Sequence, residues 1–362
     1  MIEFSYEAAE RLPDAEREAI LANPGFGKAF TDHMVSIAWN REQGWHDARV
    51  MPYGPIPIDP ASSVLHYGQE IFEGIKAYRH PNGDIVTFRP EANAKRLNES
   101  AYRLALPELP EELFVRALEE LVRVDADWVP SGEDQTLYLR PFMIADESFL
   151  GVRAAEQARF LVIASPVGAY FSAGVKPVSI WLSDHLSRAG EGGTGSAKCG
   201  GNYAASLLPT RIAQEHGCAQ VLFLDARTED RIDELGGMNL FLVRADGTLI
   251  TPELNGNILD GVTRRSLIQL AEDRGHAVEQ RAVTVTEWRD GVADGSITEA
   301  FACGTAAVIA PIGALKGEEG TLVDFGDGAP GALTMSLREE LTGIQYGTVP
   351  DPHGWVHRIV TA

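Results

Sequence analysis

The stretch Gly192 to Ser206, reading GGTGSAKCGGNYAAS, constrains this chain more than any other. One lysine, Lys198, stands among small residues, with Gly200 and Gly201 two and three places on, then Asn202 and Tyr203. Glycines beside a lysine leave room for backbone to approach something flat and bulky. Lysine is not the local default for positive charge here, because the chain holds 6 lysines among 31 lysines and arginines. A desolvated lysine is a nucleophilic amine, and carbonyl cofactors such as pyridoxal phosphate are held as its Schiff base. The alternative is a solvated lysine on a flexible glycine-rich surface loop, a common arrangement.

With 362 residues the chain has room for two domains at about 100 to 200 residues each. A net charge of −21 argues against nucleic acid or an anionic membrane as a partner, so clustered arginines become the places to look for anion recognition. Cys199, Cys218 and Cys303 are too few and too scattered for a disulfide framework or a zinc site; no metal is expected, and free thiols point to the cytoplasm. The acidic start MIEFSYEAAERLPDAEREAI lacks the basic and apolar regions of a targeting signal, and no run of about 18 apolar residues suggests a membrane span.

Along the chain, His33 to Trp39 alternates like a strand, and Phe72 to Arg79 and Asp84 to Arg89 flank a His-Pro-Asn-Gly turn as a hairpin. Helical spacing follows in Glu91 to Leu106 and Glu111 to Val124, then strands at Thr136 to Ile144 and Ala158 to Ala164. This first part reads as α+β, ending at a linker-like stretch, Pro166 to Gly174. The second part offers a strand at Pro177 to Leu182, the lysine loop, and a helix toward Gly217 that Pro209 should kink or delay. Strands are expected at Gln220 to Asp225, Asn239 to Val243, Thr248 to Thr251, Arg281 to Val285, Thr298 to Ala302 and Ala307 to Ile312. Helices are expected after Gly261, at Glu287, and from Gly331 to Gly343.

Several residues outside the lysine loop suit the same cofactor. The turn before Val262 and Thr263 runs straight into an amphipathic helix whose first amides could hold a phosphate, or Thr263 is an ordinary N-cap. Gly304-Thr305-Ala306 lies between two apolar strands, where a hydroxyl and amides face outward, although such turns are commonplace. Arg96 could bind a phosphate bidentately or lie on a solvated helix face. Glu234, before an apolar strand, could keep a pyridine nitrogen protonated or be a turn carboxylate. Tyr138 and Arg140 share a strand face, and an inward arginine needs either a carboxylate ligand or a buried acid.

Taken together these stretches resemble the branched-chain amino-acid aminotransferases, pyridoxal-phosphate enzymes of fold type IV. The resemblance runs from Phe30-Thr-Asp-His-Met34 to Ile344-Gln-Tyr-Gly347. Its most specific pieces are Leu65-His-Tyr-Gly68 with Phe72-Glu-Gly74, Lys198-Cys-Gly-Gly-Asn-Tyr203, Glu234-Leu-Gly-Gly-Met-Asn239, Gly261-Val-Thr-Arg264 and Gly304-Thr-Ala306.

The resemblance implies an α/β fold of α+β type with two domains in the D-amino-acid-aminotransferase-like architecture and the active site at the domain interface. The domains would be 1–168, small and α+β with an N-terminal arm, and 177–362, larger and cofactor-binding, joined by 169–176. Lys198 would be the Schiff-base lysine, Tyr203 the donor to the ring hydroxyl, and Glu234 the partner of the pyridine nitrogen. Arg96, Val262, Thr263 and Thr305 would hold the phosphate. Phe30, Tyr67, Phe72, Tyr138, Arg140, Tyr170, Thr305 and Ala306 would line the substrate site, with Val152 contributed by the partner of a homodimer. The implied reaction moves an amino group between leucine, isoleucine or valine and 2-oxoglutarate. Ala307 and Ala310 stand where vertebrate relatives carry a redox cysteine pair. A D-amino-acid transaminase, an aminodeoxychorismate lyase and a non-catalytic binder are the alternatives, and a dehydrogenase lacks its Gly-x-Gly-x-x-Gly.

Overall fold

Apolar residues alternating from His33 onward begin the first of two sheets, each of nine strands, in a computed structural model that describes residues 2–169, 174–228, 230–326 and 328–362. The chain divides into two compact units. One comprises Met1–Tyr170, Ala197–Gly200 and Gly343–Ala362, and the other Phe171–Ser196 and Gly201–Thr342.

In the first unit the strand order is Ser5–Tyr6, Gly44–Pro52, His33–Asn40, Gln157–Val167, Thr136–Ala145, Ile75–Arg79, Ile85–Phe88, Val356–Val360, with Glu70–Phe72 also paired to Thr136–Ala145. The expected hairpin forms around Gly83, whose φ of 90° only glycine adopts without strain. Its first strand is interrupted: the chain leaves the ladder at Glu73 and Gly74, splitting the expected run into Glu70–Phe72 and Ile75–Arg79. Gly74 is required there, because a Cβ would collide with the Tyr138 hydroxyl.

Two helices supply the apolar cover. Pro90–Arg103 starts on a proline at its first turn, and Glu111–Val124 has acids at its start and Arg123 at its end, which suits the helix dipole. Leu113, Phe114, Ala117, Leu118, Leu121 and Val122 are buried at helical spacing, and Phe114 meets Phe160 of the sheet at 5.9 Å between ring centroids. Each such large apolar side chain contributes about 1.5–3 kcal/mol by leaving water.

The end of the chain departs from the expected contiguous segment 177–362. Val356–Val360 pairs antiparallel with Ile85–Phe88, and Ala197 and Cys199 are buried in the first unit's core, so both pieces group with that unit. Pro166, expected in a linker, lies in the strand Gln157–Val167. It is tolerated because the neighbouring strand His33–Asn40 pairs only as far as Val162, which leaves the proline's missing N–H on an unpaired edge.

The second unit's sheet runs Ile232–Leu235, Gln220–Leu224, Val178–Ser183, Val308–Gly317, Ile297–Gly304, Asn239–Arg244, Leu249–Pro252, Val278–Arg281, with Gly320–Asp324 on Val308–Gly317. Gly200–Glu215 remains one helix through the buried Pro209, rather than starting late. The strand expected at Arg281 to Val285 instead ends at Arg281, and Val285–Asp294 is helical. The reason is local: Thr284 accepts a hydrogen bond from Glu287 N at 3.0 Å, capping the helix.

One buried ion pair joins the first sheet to its helix. Arg96 Nε and Nη2 each donate to Glu73 at 2.8 Å, and Asn93 Nδ2 adds a third bond at 2.8 Å. Burial pushes the Glu73 carboxyl up, but the Arg96 charge and bonds, aided by the charge of Lys198 and by Asn93, hold it below the usual carboxylate range. A group whose pKa is depressed by folding contributes stability above its unfolded pKa and loses it as pH falls through the folded one. Glu73→Gln should therefore lower stability by about 3–5 kcal/mol at neutral pH, because it strands a buried guanidinium. It should also weaken the parent's loss of stability on acidification. Urea unfolding at neutral and acid pH measures both; a variant as stable as the parent at neutral pH would remove the pair from the fold's energetics.

Candidate active site

Lys198 is held by its backbone before its side chain is considered. Phe72 N–H donates to the Lys198 carbonyl at 2.9 Å, Lys198 N–H donates to Ser100 Oγ at 2.9 Å, and Gly200 N–H donates to Glu70 Oε1. A Cβ on Gly200 would strike that carboxylate, so the glycine after Cys199 allows the approach. Burial pushes the Glu70 carboxyl above its usual range, against the pull of the Gly200 amide and the Arg140 charge. The Lys198 ammonium nitrogen lies 4.9 Å from the centroid of the Phe72 ring.

Arg140 shares that ring environment: its guanidinium carbon is 4.8 Å from the Phe72 centroid and 5.4 Å from that of Tyr138. Its Nη2 donates to the Tyr138 hydroxyl at 3.3 Å, while its buried Nε has no hydrogen-bond partner. Of the two alternatives weighed for this arginine, the buried acid is not met: among the described residues no carboxylate forms an ion pair with it. Tyr138, Arg140, Phe26 and Phe30 line a cavity of about 250 Å³ closed by Ile163, Ala164 and Val167. Phe30 stacks on Tyr53 with centroids 4.7 Å apart.

The remaining first-unit candidates are placed differently. Arg96 is buried and paired to Glu73, which takes two of the five N–H groups a guanidinium carries. Tyr67, at the end of the short helix Ser63–Tyr67, is exposed and donates to the Leu150 carbonyl at 2.6 Å. Val152 is 84% exposed. Tyr170 lies outside the described residues.

In the second unit Glu234 is 4% exposed, on the strand Ile232–Leu235. Its Oε1 accepts from Arg188 Nη2 at 2.5 Å and from Leu259 N at 3.1 Å, and its Oε2 accepts from Asn239 Nδ2 at 3.1 Å. Tyr203, half-buried on the helix Gly200–Glu215, has its ring edge 3.9 Å from where a Cβ on Gly237 would sit. The helix Val262–Asp273 begins at Gly261 with no side-chain cap, and Val262, Thr263 and Arg264 of its first turn are all buried. A side chain at Gly261 would collide with Asn239 Oδ1. Thr305 and Ala306 sit half-buried in the turn that joins Ile297–Gly304 to Val308–Gly317.

Three residues escape the sequence reading: Glu70, Glu73 and Arg188. Glu73 carried a signal, an acid between Phe72 and Gly74 in an otherwise apolar run. Arg188 carried none, since two of its acceptors, the carbonyls of Gly195 and Asn257, lie 7 and 69 residues away.

The family model described as amino-transferase class IV matches residues 70–315. A branched-chain-amino-acid aminotransferase of Mycolicibacterium smegmatis is 57% identical over 99% of this chain and 98% of its own length. Among solved structures, the Escherichia coli branched-chain amino acid aminotransferase superposes with a TM-score of 0.74 at 26% identity, covering 90% of this chain and 100% of that one. The branched-chain amino acid aminotransferase of Thermobaculum terrenum in its PLP form gives 0.73 at 25% identity, over 91% and 99%. With this coverage and identity, and with the motif residues in the settings just described, the chain belongs to the class IV aminotransferases and, within them, to the branched-chain-amino-acid aminotransferase family.

Proposed function

We propose that the chain transfers the amino group between leucine, isoleucine or valine and 2-oxoglutarate, using pyridoxal 5'-phosphate. The observation that carries the substrate pairing is Arg140: a guanidinium stacked on two aromatic rings beside an apolar cavity, with its buried Nε lacking a partner. Phe26, Phe30 and Ile163 offer an apolar wall to a branched side chain. The γ-carboxylate of glutamate, desolvated against that wall, would cost several kcal/mol without a cation, and Arg140 supplies one.

The donor set suits the cofactor. A buried helix start with a glycine at its cap leaves first-turn amides for an anion, so Val262 and Thr263 would hold the phosphate, with Arg96 and Thr305. Glu234, buried and anchored by Asn239 and Leu259, would keep a proton at the ring nitrogen, and Tyr203 would donate to the ring hydroxyl. Bound there, pyridoxal phosphate supplies an electron sink that lets a proton leave the substrate Cα. Lys198 Nζ would anchor the cofactor and then, once displaced, carry that proton. Phe72, packed against both Lys198 and Arg140, would keep water from the reacting atoms. Val152, exposed in the single chain, would meet the pocket of a second copy in a homodimer. No helix among the described residues is long and apolar enough to cross a membrane, and the three free cysteines suit the cytoplasm.

Lys198→Ala should abolish turnover and borohydride-stable cofactor attachment while leaving the thermal midpoint of the cofactor-free protein near the parent's. Near-normal turnover would sink the assignment. Glu234→Gln should slow the chemical step far more than it weakens cofactor binding, because an amide cannot keep the ring nitrogen protonated; a variant that loses cofactor yet keeps its rate when saturated would make Glu234 an anchor only. Arg140→Met should impair the glutamate half-reaction by about one to two orders of magnitude, each tenfold being 1.36 kcal/mol, and the leucine half-reaction much less. Single-turnover rates of the two halves decide this, since equal losses would place the side-chain switch elsewhere.

A further inference from the structure

Glu234 does not stand alone in the second unit. Arg188, on the segment between the strand Val178–Ser183 and the glycine-rich loop, has a side chain 6% exposed, against 5% for Glu234. Three oxygens converge on its one nitrogen Nη2: Glu234 Oε1 at 2.5 Å, the Gly195 carbonyl at 2.9 Å, and the Asn257 carbonyl. Gly195 stands three residues before Lys198, and Asn257 four before Gly261. A carboxylate and two carbonyls gathered at one point repel one another unless a cation lies between them, and a guanidinium is charged at every accessible pH.

We propose that Arg188 is a positioning residue, whose buried guanidinium fixes the charge and orientation of Glu234 and ties to it the loops that lead into Lys198 and into the helix Val262–Asp273. This rests on the reading of Glu234 as the partner of the cofactor's ring nitrogen. Without Arg188 the buried Glu234 carboxylate loses the one guanidinium in contact with it and keeps the bonds from Asn239 and Leu259 and the charge of Arg264, which favours its taking up a proton or turning away. In either state it no longer holds a proton at the ring nitrogen.

The test is a double-mutant cycle on the holoenzyme with Arg188→Met, Arg188→Lys and Glu234→Gln. It reads the leucine half-reaction rate, the dissociation constant for pyridoxal 5'-phosphate, and the thermal midpoint of the cofactor-free protein. Arg188→Met should slow the half-reaction about ten- to a hundredfold, the scale on which groups that orient a functional side chain act. Arg188→Lys, which keeps the charge and has three donors, should recover most of that loss. Placed on Glu234→Gln, Arg188→Met should change the rate by less than about threefold, because the residue through which it acts is already disabled. In the cofactor-free protein Arg188→Met should lower the thermal midpoint and weaken cofactor binding, and the double variant should regain part of the midpoint, since no carboxylate is then stranded. The proposal is overturned if Arg188→Met keeps the parent's rate, or if it costs the same factor with and without Glu234→Gln. Should Arg188→Met not fold, the same cycle with Arg188→Lys carries the decision: a loss that persists undiminished on Glu234→Gln overturns the proposal. Parental turnover in Glu234→Gln alone would instead overturn the assignment of Glu234, and with it the role drawn for Arg188.

Discussion

Most of the first unit's candidate chemistry depends on one short backbone contact, the hydrogen bond from Phe72 N–H to the carbonyl of Lys198. A lysine side chain has four rotatable carbons, so its ammonium is placed only as well as its main chain is. Here that main chain is fastened to the strand Glu70–Phe72, whose register on Thr136–Ala145 sets Phe72 opposite Phe142 and Glu70 opposite Ile144. The same strand carries Tyr138 and Arg140, while Ser100, which accepts the Lys198 N–H, lies on the helix that carries Arg96. A slip of one residue in that register would turn every side chain of the strand to the opposite face. The sheet, with the helix packed on it, therefore sets the separations among Lys198, Arg140 and Arg96.

Two buried arginines and one half-buried arginine divide the electrostatic work. Arg96 and Arg188 are each held by a carboxylate of their own unit, Glu73 and Glu234, so each pair enters the interior with its charges compensated. Arg140 rests instead on the faces of Phe72 and Tyr138 and donates to one phenol oxygen. Aromatic faces stabilise a cation weakly, by about 0.5–2 kcal/mol, and do not neutralise it. An arginine supported this way remains ready for an anion, and an apolar side chain can lie beside it without breaking an ion pair. On the role proposed for Arg140, that would let one pocket serve both leucine and glutamate.

What was legible in the sequence was local. Lys198 among glycines, the shared face of Tyr138 and Arg140, and the helix entered through Gly261 all follow from spacings of a few residues, and the structure bears out their placement in a loop, on a strand and at a helix start. Non-local partnerships were not legible. Nothing near Arg188 announces Glu234, and nothing near Val356 announces Ile85 as the neighbour that draws the chain's end into the first sheet. The strand misplaced at Arg281 to Val285 is a case of local chemistry overriding pattern: Val283 and Val285 alternate like strand residues, yet Thr284 caps a helix through Glu287.

The turn that displays Thr305 and Ala306 is held by strain as well as by pairing. Val308 has a φ of 61°, a left-handed conformation that a β-branched residue adopts at a penalty of about 1–3 kcal/mol. Its neighbours offset that penalty. Gly304 pairs with Val308, Cys303 with Ile309 and Ala302 with Ala310, all on buried strands, and Met238 packs where a side chain on Gly304 would lie. A three-residue turn closed this tightly cannot relax without breaking the ladder beneath it. The direction of the turn's backbone amides is thus set by the scaffold, and the ordering of this turn has already been met in folding.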